Sequence, residues 1–181
     1  MMPAFAALLL AAGAPAAATP PPAPAAVPAP AAAPARYPIS RPLWTHYYPL
    51  EGNAGAEIDG ALAEAKAGGR QAVLVFGADW CGDSRALAAI LTSETWTGEF
   101  GSRYRVVFVD VDHPTKDHGR NEDQIARFGV KKMTGTPEML VIGADGKPLN
   151  SIEDALGWEN AGDRPVSEII GWFRKLGKTK G

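Results

Sequence analysis

Hydrophobic and polar positions follow two alternating patterns after residue 50, and together they predict a chain of helices and strands. Apolar residues recur at helical spacing in four segments, at residues 53–66, 81–91, 121–128 and 165–176. Continuous apolar runs, typical of strands covered on both faces, lie at residues 71–78, 104–111 and 138–142. A turn of Ala-Asp-Gly-Lys at 144–147 predicts a hairpin into a short further strand. Strands separated by helices, with one hairpin, indicate an α/β protein with a mixed sheet.

The first 35 residues follow neither pattern. They carry no charge, and 26 of the 35 are Ala or Pro. An apolar run at 4–14 is closed by Pro3 and Pro15, and it is too short for a bilayer span, which needs ~20 residues. Its length, with three alanines at 16–18, is typical of a secretory signal.

This composition predicts three parts of the chain: a signal peptide at 1–18, a Pro/Ala-rich linker at 19–36 and a folded domain at 37–181. Frequent proline removes backbone donors and favours an extended spacer. A periplasmic or secreted location follows, with no membrane span in the mature form. Two alternatives stay open, because no Lys or Arg precedes the run: a disordered arm on a cytosolic protein, and a Met1 internal to a longer product.

Charge and cysteine content exclude several classes of protein. The chain has 18 basic and 20 acidic residues, all after residue 35, for a net charge of −2. Such a balance gives no basic surface for nucleic acid, and we expect none as a partner. A single cysteine excludes an internal disulfide framework and a Cys-rich zinc site.

That single cysteine, Cys81, falls where a predicted buried strand ends and a helix begins. Unpaired N–H groups and the helix dipole at such a position stabilise a thiolate. Ser84, one turn further on, could donate a hydrogen bond to the sulfur, and Arg85 could add positive charge, whereas Asp83 opposes both. A free cysteine can also be an inert buried side chain, but its place at the strand-to-helix junction favours a nucleophile.

Two segments together resemble the active site of the thioredoxin family. Residues 76–85 (Phe-Gly-Ala-Asp-Trp-Cys-Gly-Asp-Ser-Arg) are similar to the segment in which Trp-Cys-x-x-Cys follows the central strand. Residues 135–138 (Gly-Thr-Pro-Glu) are similar to the family's cis-proline loop, and a strand follows them as in the family. The resemblance covers roughly residues 53–178. It implies a three-layer α/β/α sandwich with a mixed sheet of four to five strands.

The resemblance also implies which residues form the site. Cys81 and Ser84 occupy its catalytic positions. Pro137 is expected to follow a cis peptide bond and to pack against Cys81, and Thr136 is expected to offer backbone hydrogen bonds to bound polypeptide. The residues that correspond to the substrate-binding surface are Trp80, Gly82, Asp83, Thr136 and Pro137.

Three departures from the family pattern limit the chemistry. Ser84 replaces the second cysteine of the motif, so no internal disulfide can form. Val75 corresponds to the family's buried acid and Phe108 to its partner lysine, so neither proton-handling group is present. The loop before the proline, at 130–134, is longer than in small thioredoxins.

Other candidate residues carry weaker signals. His113, His118, Asp110, Asp112 and Asp117 form a polar group after the second strand, but their spacing fits neither a calcium loop nor a helical zinc pair, and a solvated loop is favoured. We therefore predict no metal site. No Gly-rich phosphate loop, carboxylate pair or Ser-His-Asp arrangement stands out, and no cofactor is expected.

For each of two aromatic features, the sequence leaves two interpretations open. The stretch at 44–48 (Trp-Thr-His-Tyr-Tyr) either packs on the domain or contacts a partner. Trp158, in a long polar loop between Glu153 and Arg164, either caps the sheet edge or contacts a partner.

Two functions follow from these residues. The first is monothiol exchange or isomerisation, in which Cys81 forms a mixed disulfide with a cysteine-containing protein or a small thiol or disulfide substrate. The second is a binding module of the same fold that holds extended polypeptide without turnover. Loss of the proton-handling groups favours the second function, and retention of Cys81 favours the first.

The signal-like segment generates a testable prediction. We expect cleavage close to Ala18 in the native host, leaving a Pro/Ala-rich tether on an exported domain, because small residues follow the apolar run there. Intact-mass analysis of the protein purified from its host checks this. A full-length species in the cytosol would contradict it.

Overall fold

The structure, a computed structural model, describes residues 45–116 and 118–177. The predicted signal segment and linker lie outside these residues, as do Trp44 and Asp117. Within the described ranges, none of the helices has the length and apolar character that crossing a membrane requires.

The described residues form helices and strands close to the predicted positions. The helices are α1 (Ala54–Ala67), α2 (Gly82–Leu91), α3 (Glu94–Phe100), α4 (Glu122–Ala126), α5 (Ile152–Leu156) and α6 (Val166–Leu176), with a 3-10 helix at Ala161–Asp163. The strands are β1 (Gln71–Gly77), β2 (Tyr104–Asp110), β3 (Asp112–His113), β4 (His118–Gly119) and β5 (Glu138–Ile142).

Strand β1 is the centre of the main sheet, whose order is β2-β1-β5. β2 runs parallel to β1, and β5 runs antiparallel to it. β3 and β4 form a separate two-stranded ribbon. The sheet is therefore mixed, and the predicted α/β class is confirmed.

The main sheet has three strands in the described residues, fewer than the four to five predicted. Beyond the hairpin turn the chain pairs with β5 through an isolated bridge between Ile142 and Pro148. One further backbone bond follows, from Leu149 N–H to the Val141 carbonyl at 2.7 Å. Proline has no N–H to donate, so this segment cannot continue as a regular ladder.

Helices cover both faces of the sheet, and the strand residues alternate between the two resulting cores. Val73 and Val75 of β1 face one core with residues of α2, α3 and α6. Leu74 and Phe76 face the other with residues of α1, α4 and α5. A strand buried on both sides explains why the β1 sequence is continuously apolar.

Several short elements were not predicted. α3 has seven residues, of which only Trp96 and Phe100 are buried, too few for a clear helical period. α5 and the 3-10 helix lie where the sequence indicated only a polar stretch. Trp158 in that stretch is 1% exposed and packs edge-on against Trp172, with ring centroids 5.1 Å apart, so it belongs to the core and is not available to a partner.

Aromatic packing beneath α6 generates a stability prediction. Phe173 is fully buried and contacts the rings of Trp96, Phe100 and Tyr104. We expect Phe173→Ala to lower the free energy of unfolding by about 3 to 5 kcal/mol, because it removes apolar contacts and leaves a cavity. Urea unfolding measures the change. The neighbouring Arg174→Ala is the control, and a Phe173 effect no larger than that of this exposed residue would contradict the prediction.

Candidate functional site

Cys81 occupies the N-cap position of α2, four residues after β1 ends. The short β1–α2 connection therefore places Cys81 between the end of the central strand and the first turn of α2. The side chain is 8% exposed, and its thiol donates a hydrogen bond to the Thr136 carbonyl, with 3.2 Å between Sγ and O. Because a carbonyl oxygen only accepts, this contact exists while the sulfur carries its proton.

The proline loop, residues 133–137, brings the second predicted motif to the thiol. The Thr136–Pro137 peptide bond is cis, which is the geometry expected from the resemblance. Thr136 is the residue whose carbonyl meets Cys81 across 55 positions of sequence. The two motifs that the sequence singled out therefore meet in one site.

Trp80 lies on the open side of this site and is 55% exposed. Its indole N–H donates to the Asp112 carbonyl at 3.0 Å, and its ring stacks on His113 with centroids 4.2 Å apart and an interplanar angle of 8°. The Asp112 carboxylate lies 2.7 Å from Nδ1 of His113, and this hydrogen bond lowers the pKa of Asp112. The β3–β4 ribbon thus holds the Trp80 ring in place beside Cys81.

Ser84 does not donate to the sulfur, so that expectation is wrong. The residue is fully buried, and its Oγ has no hydrogen-bond partner within the described ranges. A Cβ placed on Gly77 would lie 2.7 Å from this Oγ and 2.7 Å from the Tyr48 hydroxyl. Residue 84 therefore faces the end of β1 and the core, and only a glycine at position 77 leaves room for both hydroxyls.

The other polar residues of the motif contact the protein itself. The Arg85 guanidinium donates to the Thr45 carbonyl at 3.2 Å. The Asp83 carboxylate accepts the Gly162 N–H at 2.8 Å, which ties the first turn of α2 to the 3-10 helix. Gly82, the first residue of α2, is exposed.

Tyr48, from the aromatic stretch at 44–48, packs on the domain as a buried residue beside the site, a position that the sequence did not predict. Its ring packs edge-on against Phe108 at 5.5 Å, and its hydroxyl donates to the Ser84 carbonyl at 3.1 Å. Burial raises the pKa of Tyr48 well above its usual value. Val75 and Phe108 lie opposite each other on β1 and β2, so the place of the family's charged pair holds apolar side chains and a neutral hydroxyl.

Asp110, the last residue of β2, and Asp112, the first residue of β3, both pair with the same arginine. Arg120 Nε lies 2.9 Å from Asp110 and its Nη2 lies 3.5 Å from Asp112. Burial raises the pKa of Asp110, while Arg120 lowers it. In the described part of the chain, no three His, Cys, Asp or Glu side chains are placed to hold a metal ion together.

Glu138, the first residue of β5, is a second site residue that sequence reasoning missed. It is fully buried, and Oε1 accepts the Thr134 N–H of the proline loop at 2.9 Å. Burial raises its pKa to about 7, although hydrogen bonds from the Thr134 and Gly135 backbone oppose the rise. An acidic residue opening an otherwise apolar strand was the available signal.

Comparison with known proteins agrees with this architecture. The model of the thioredoxin-like domain family matches residues 58–156, which is more than half of the chain. The chain therefore belongs to the thioredoxin-like domain family.

Two relatives are informative. The thiol:disulfide interchange protein DsbD of Pseudomonas fluorescens is 28% identical over 114 residues, which are 63% of this chain and 18% of that protein. The chain thus spans less than a fifth of that relative. The crystal structure of a disulphide isomerase from Xylella fastidiosa Temecula1 is 27% identical, with a TM-score of 0.65, and the match covers 75% of this chain and 99% of that one.

Glu138 generates a prediction about stability and pH. Between its ordinary pKa of 4.5 and about 7 the folded state holds a proton that the unfolded chain has released. The free energy of unfolding should therefore fall as pH rises through this interval, by up to about 3 kcal/mol.

Glu138→Gln should remove that part of the pH dependence, because an amide does not ionise. Urea unfolding of both proteins at pH 5 and pH 8 measures it. Asp110, whose pKa is also raised, is present in both and cancels in the comparison. An equal loss of stability in the two proteins would contradict the assignment.

Proposed function

We propose that this protein carries out thiol–disulfide exchange as a monothiol, through a mixed disulfide on Cys81. The Cys81 thiolate attacks one sulfur of a substrate disulfide, the S–S bond breaks, and the other substrate sulfur leaves as a thiolate. Release then requires a second thiolate to attack the mixed disulfide and return Cys81 to its reduced form. Electrons balance because each step exchanges one thiolate for another.

The observation that carries this proposal is the meeting of Cys81, at the start of α2, with the Thr136 carbonyl beside a cis Pro137. The helix start supplies N–H groups that favour a thiolate once the proton leaves. The relatives named above, an interchange protein and a disulphide isomerase, support the same chemistry.

The resolving thiol must come from outside the domain. Cys81 is the single cysteine in the sequence, and Ser84 stands where a resolving cysteine would be. A cysteine of the substrate protein, or an external thiol, would complete the reaction. This suits isomerisation and monothiol exchange, not net oxidation. The substrate class is therefore a cysteine-containing protein or a small disulfide.

The proposed substrate surface surrounds the thiol. The half-exposed Trp80 and the exposed Gly82 lie on the two sides of Cys81 in sequence, and Thr136 and Pro137 form the opposite wall. Asp83 is at the edge of this surface, and its bond to Gly162 gives it a positioning role there.

A binding module without turnover is the second candidate function. The specific observation in its favour is that the paired Val75 and Phe108 are apolar and that burial keeps the adjacent Tyr48 hydroxyl neutral. Attack by a thiol is slower when no base takes its proton. The same groove would then hold a cysteine-containing or extended polypeptide.

Export to the periplasm or the medium is part of the proposal. It is supported by the apolar run at 4–14, the alanines at 16–18 and the Pro/Ala-rich segment at 19–36. An oxidising compartment would also supply the disulfides on which a monothiol protein acts.

The absence of a second cysteine generates the direct test. We expect the natural protein to accumulate mixed disulfides with an oxidised substrate, since a serine hydroxyl cannot displace sulfur. Ser84→Cys should release them and produce a dithiol–disulfide couple, with a partial gain because no buried base assists. Insulin reduction with an external reductant, and mass spectrometry of trapped adducts, measure both effects.

The controls separate chemistry from fold. Cys81→Ala removes the nucleophile. Ser102→Cys adds a second thiol on the exposed turn before β2, at the opposite end of the parallel strand pair from Cys81. If Ser84→Cys turns over no faster than Cys81→Ala, the site does not perform exchange and the binding module is the better function.

A further inference from the structure

The proline loop is held by two carboxylates from different parts of the chain. Glu138 Oε1 accepts the Thr134 N–H at 2.9 Å, and the Gly135 backbone also bonds to this carboxyl group. From the other side, the Thr134 hydroxyl donates to Glu159 Oε1 at 2.5 Å. A Cβ on Gly135 would lie 2.5 Å from the Glu159 Cδ, so the loop passes directly against that carboxylate.

Glu138 is the buried member of this pair. It starts β5 opposite Phe76 of the central strand, and its side chain turns back beneath the residues that precede Pro137. Its other oxygen, Oε2, has no hydrogen-bond partner in the part of the chain that the structure describes. A buried acid with an oxygen unsatisfied is costly for the fold, which calls for a role other than stability.

The loop that Glu138 holds is also the wall of the thiol site. The next residue after the two bonded N–H groups is Thr136, whose carbonyl accepts the Cys81 thiol at 3.2 Å. A shift of Thr134 or Gly135 would move that carbonyl, because neighbouring peptide planes share a Cα atom. A displacement of the buried Glu138 carboxyl group would therefore move the hydrogen-bond acceptor of the Cys81 thiol, through two residues of backbone.

We propose that Glu138 is a positioning residue for the exchange site, whose carboxyl group sets the place of the proline loop against Cys81 and against a bound polypeptide. The proposal rests on the proposed function, because it assigns Glu138 a part in the same site. Glu138 does not touch the substrate or the sulfur. It acts through the N–H groups of Thr134 and Gly135.

Protonation changes the strength of this hold. The charged neighbours that act on Glu138 are Glu159 of the loop before the 3-10 helix and Glu122 of α4, and both raise its pKa. N–H bonds to an ionised carboxylate are shorter and stronger than those to a neutral acid. The loop is therefore held more firmly as pH rises through about 7, where Glu138 loses its proton.

Two variants separate hydrogen bonding from simple filling of the core. Glu138→Met keeps a similar volume but cannot accept the N–H bonds, and Glu138→Gln keeps an acceptor without the charge. With a peptide disulfide as substrate and an external thiol to resolve the mixed disulfide, we expect Met to raise KM about tenfold with a smaller change in kcat, and Gln to stay within about threefold of the natural protein at pH 6. Glu94→Gln, which removes an exposed carboxylate on α3, is the control and should change neither constant.

The pH profile provides a readout that a merely structural role would not move. The ratio of kcat/KM for the natural protein to that for Glu138→Gln should rise through about pH 7, since only the natural protein gains a charged acceptor. Glu159→Gln, made in the protein that keeps the natural Glu138, should shift this rise to lower pH. It removes a neighbouring negative charge that raises the pKa of Glu138.

The outcomes are distinguishable. A natural protein that forms no mixed disulfide with the peptide overturns the proposed function and this inference together. A natural protein that is active, with a folded Glu138→Met of unchanged KM, overturns the inference alone. If Glu138→Met does not fold, the Glu138→Gln profile decides: a ratio that is flat from pH 5.5 to pH 8.5 overturns the positioning role, and a rise near pH 7 supports it.

Discussion

The structure depends on the burial of β1 on both faces and its pairing along both edges. β2 and β5 pair with its two edges, and its side chains point alternately into the two hydrophobic cores. A strand so constrained cannot shift by one residue without turning its side chains to the wrong core. The position of its last residue, Gly77, is therefore fixed. Because Cys81 follows only four residues later at the start of α2, its position is fixed as well.

The same constraint explains why two distant segments form one site. β5 is antiparallel to β1, so its first residue pairs with Phe76 close to the end of β1. The proline loop, which directly precedes β5, therefore lies next to the start of α2. The bond from the Cys81 thiol to the Thr136 carbonyl is the local result of that strand pairing.

The distribution of ionisable groups differs from the one that the family resemblance implies. Behind residue 84 the chain has Val75, Phe108 and a Tyr48 that stays neutral, and these pack as part of the core. A buried acid, Glu138, is present instead on the other face of the sheet, at the first residue of β5 and beneath the proline loop. The positioning role proposed for Glu138 would act on Cys81 through this loop.

Much of the fold was determined by the sequence itself, because periodicity and strand burial are local properties. The continuous apolar runs predicted β1, β2 and β5. The resemblance of two motifs to one family then led us to expect Cys81 beside the cis-proline loop, where its thiol meets the Thr136 carbonyl. Tertiary structure alone decided which polar groups meet. Ser84 faces Gly77 and the core, and the Thr134 N–H donates a hydrogen bond to Glu138. Those contacts depend on side-chain direction and on packing between segments far apart in the chain, which no local pattern encodes.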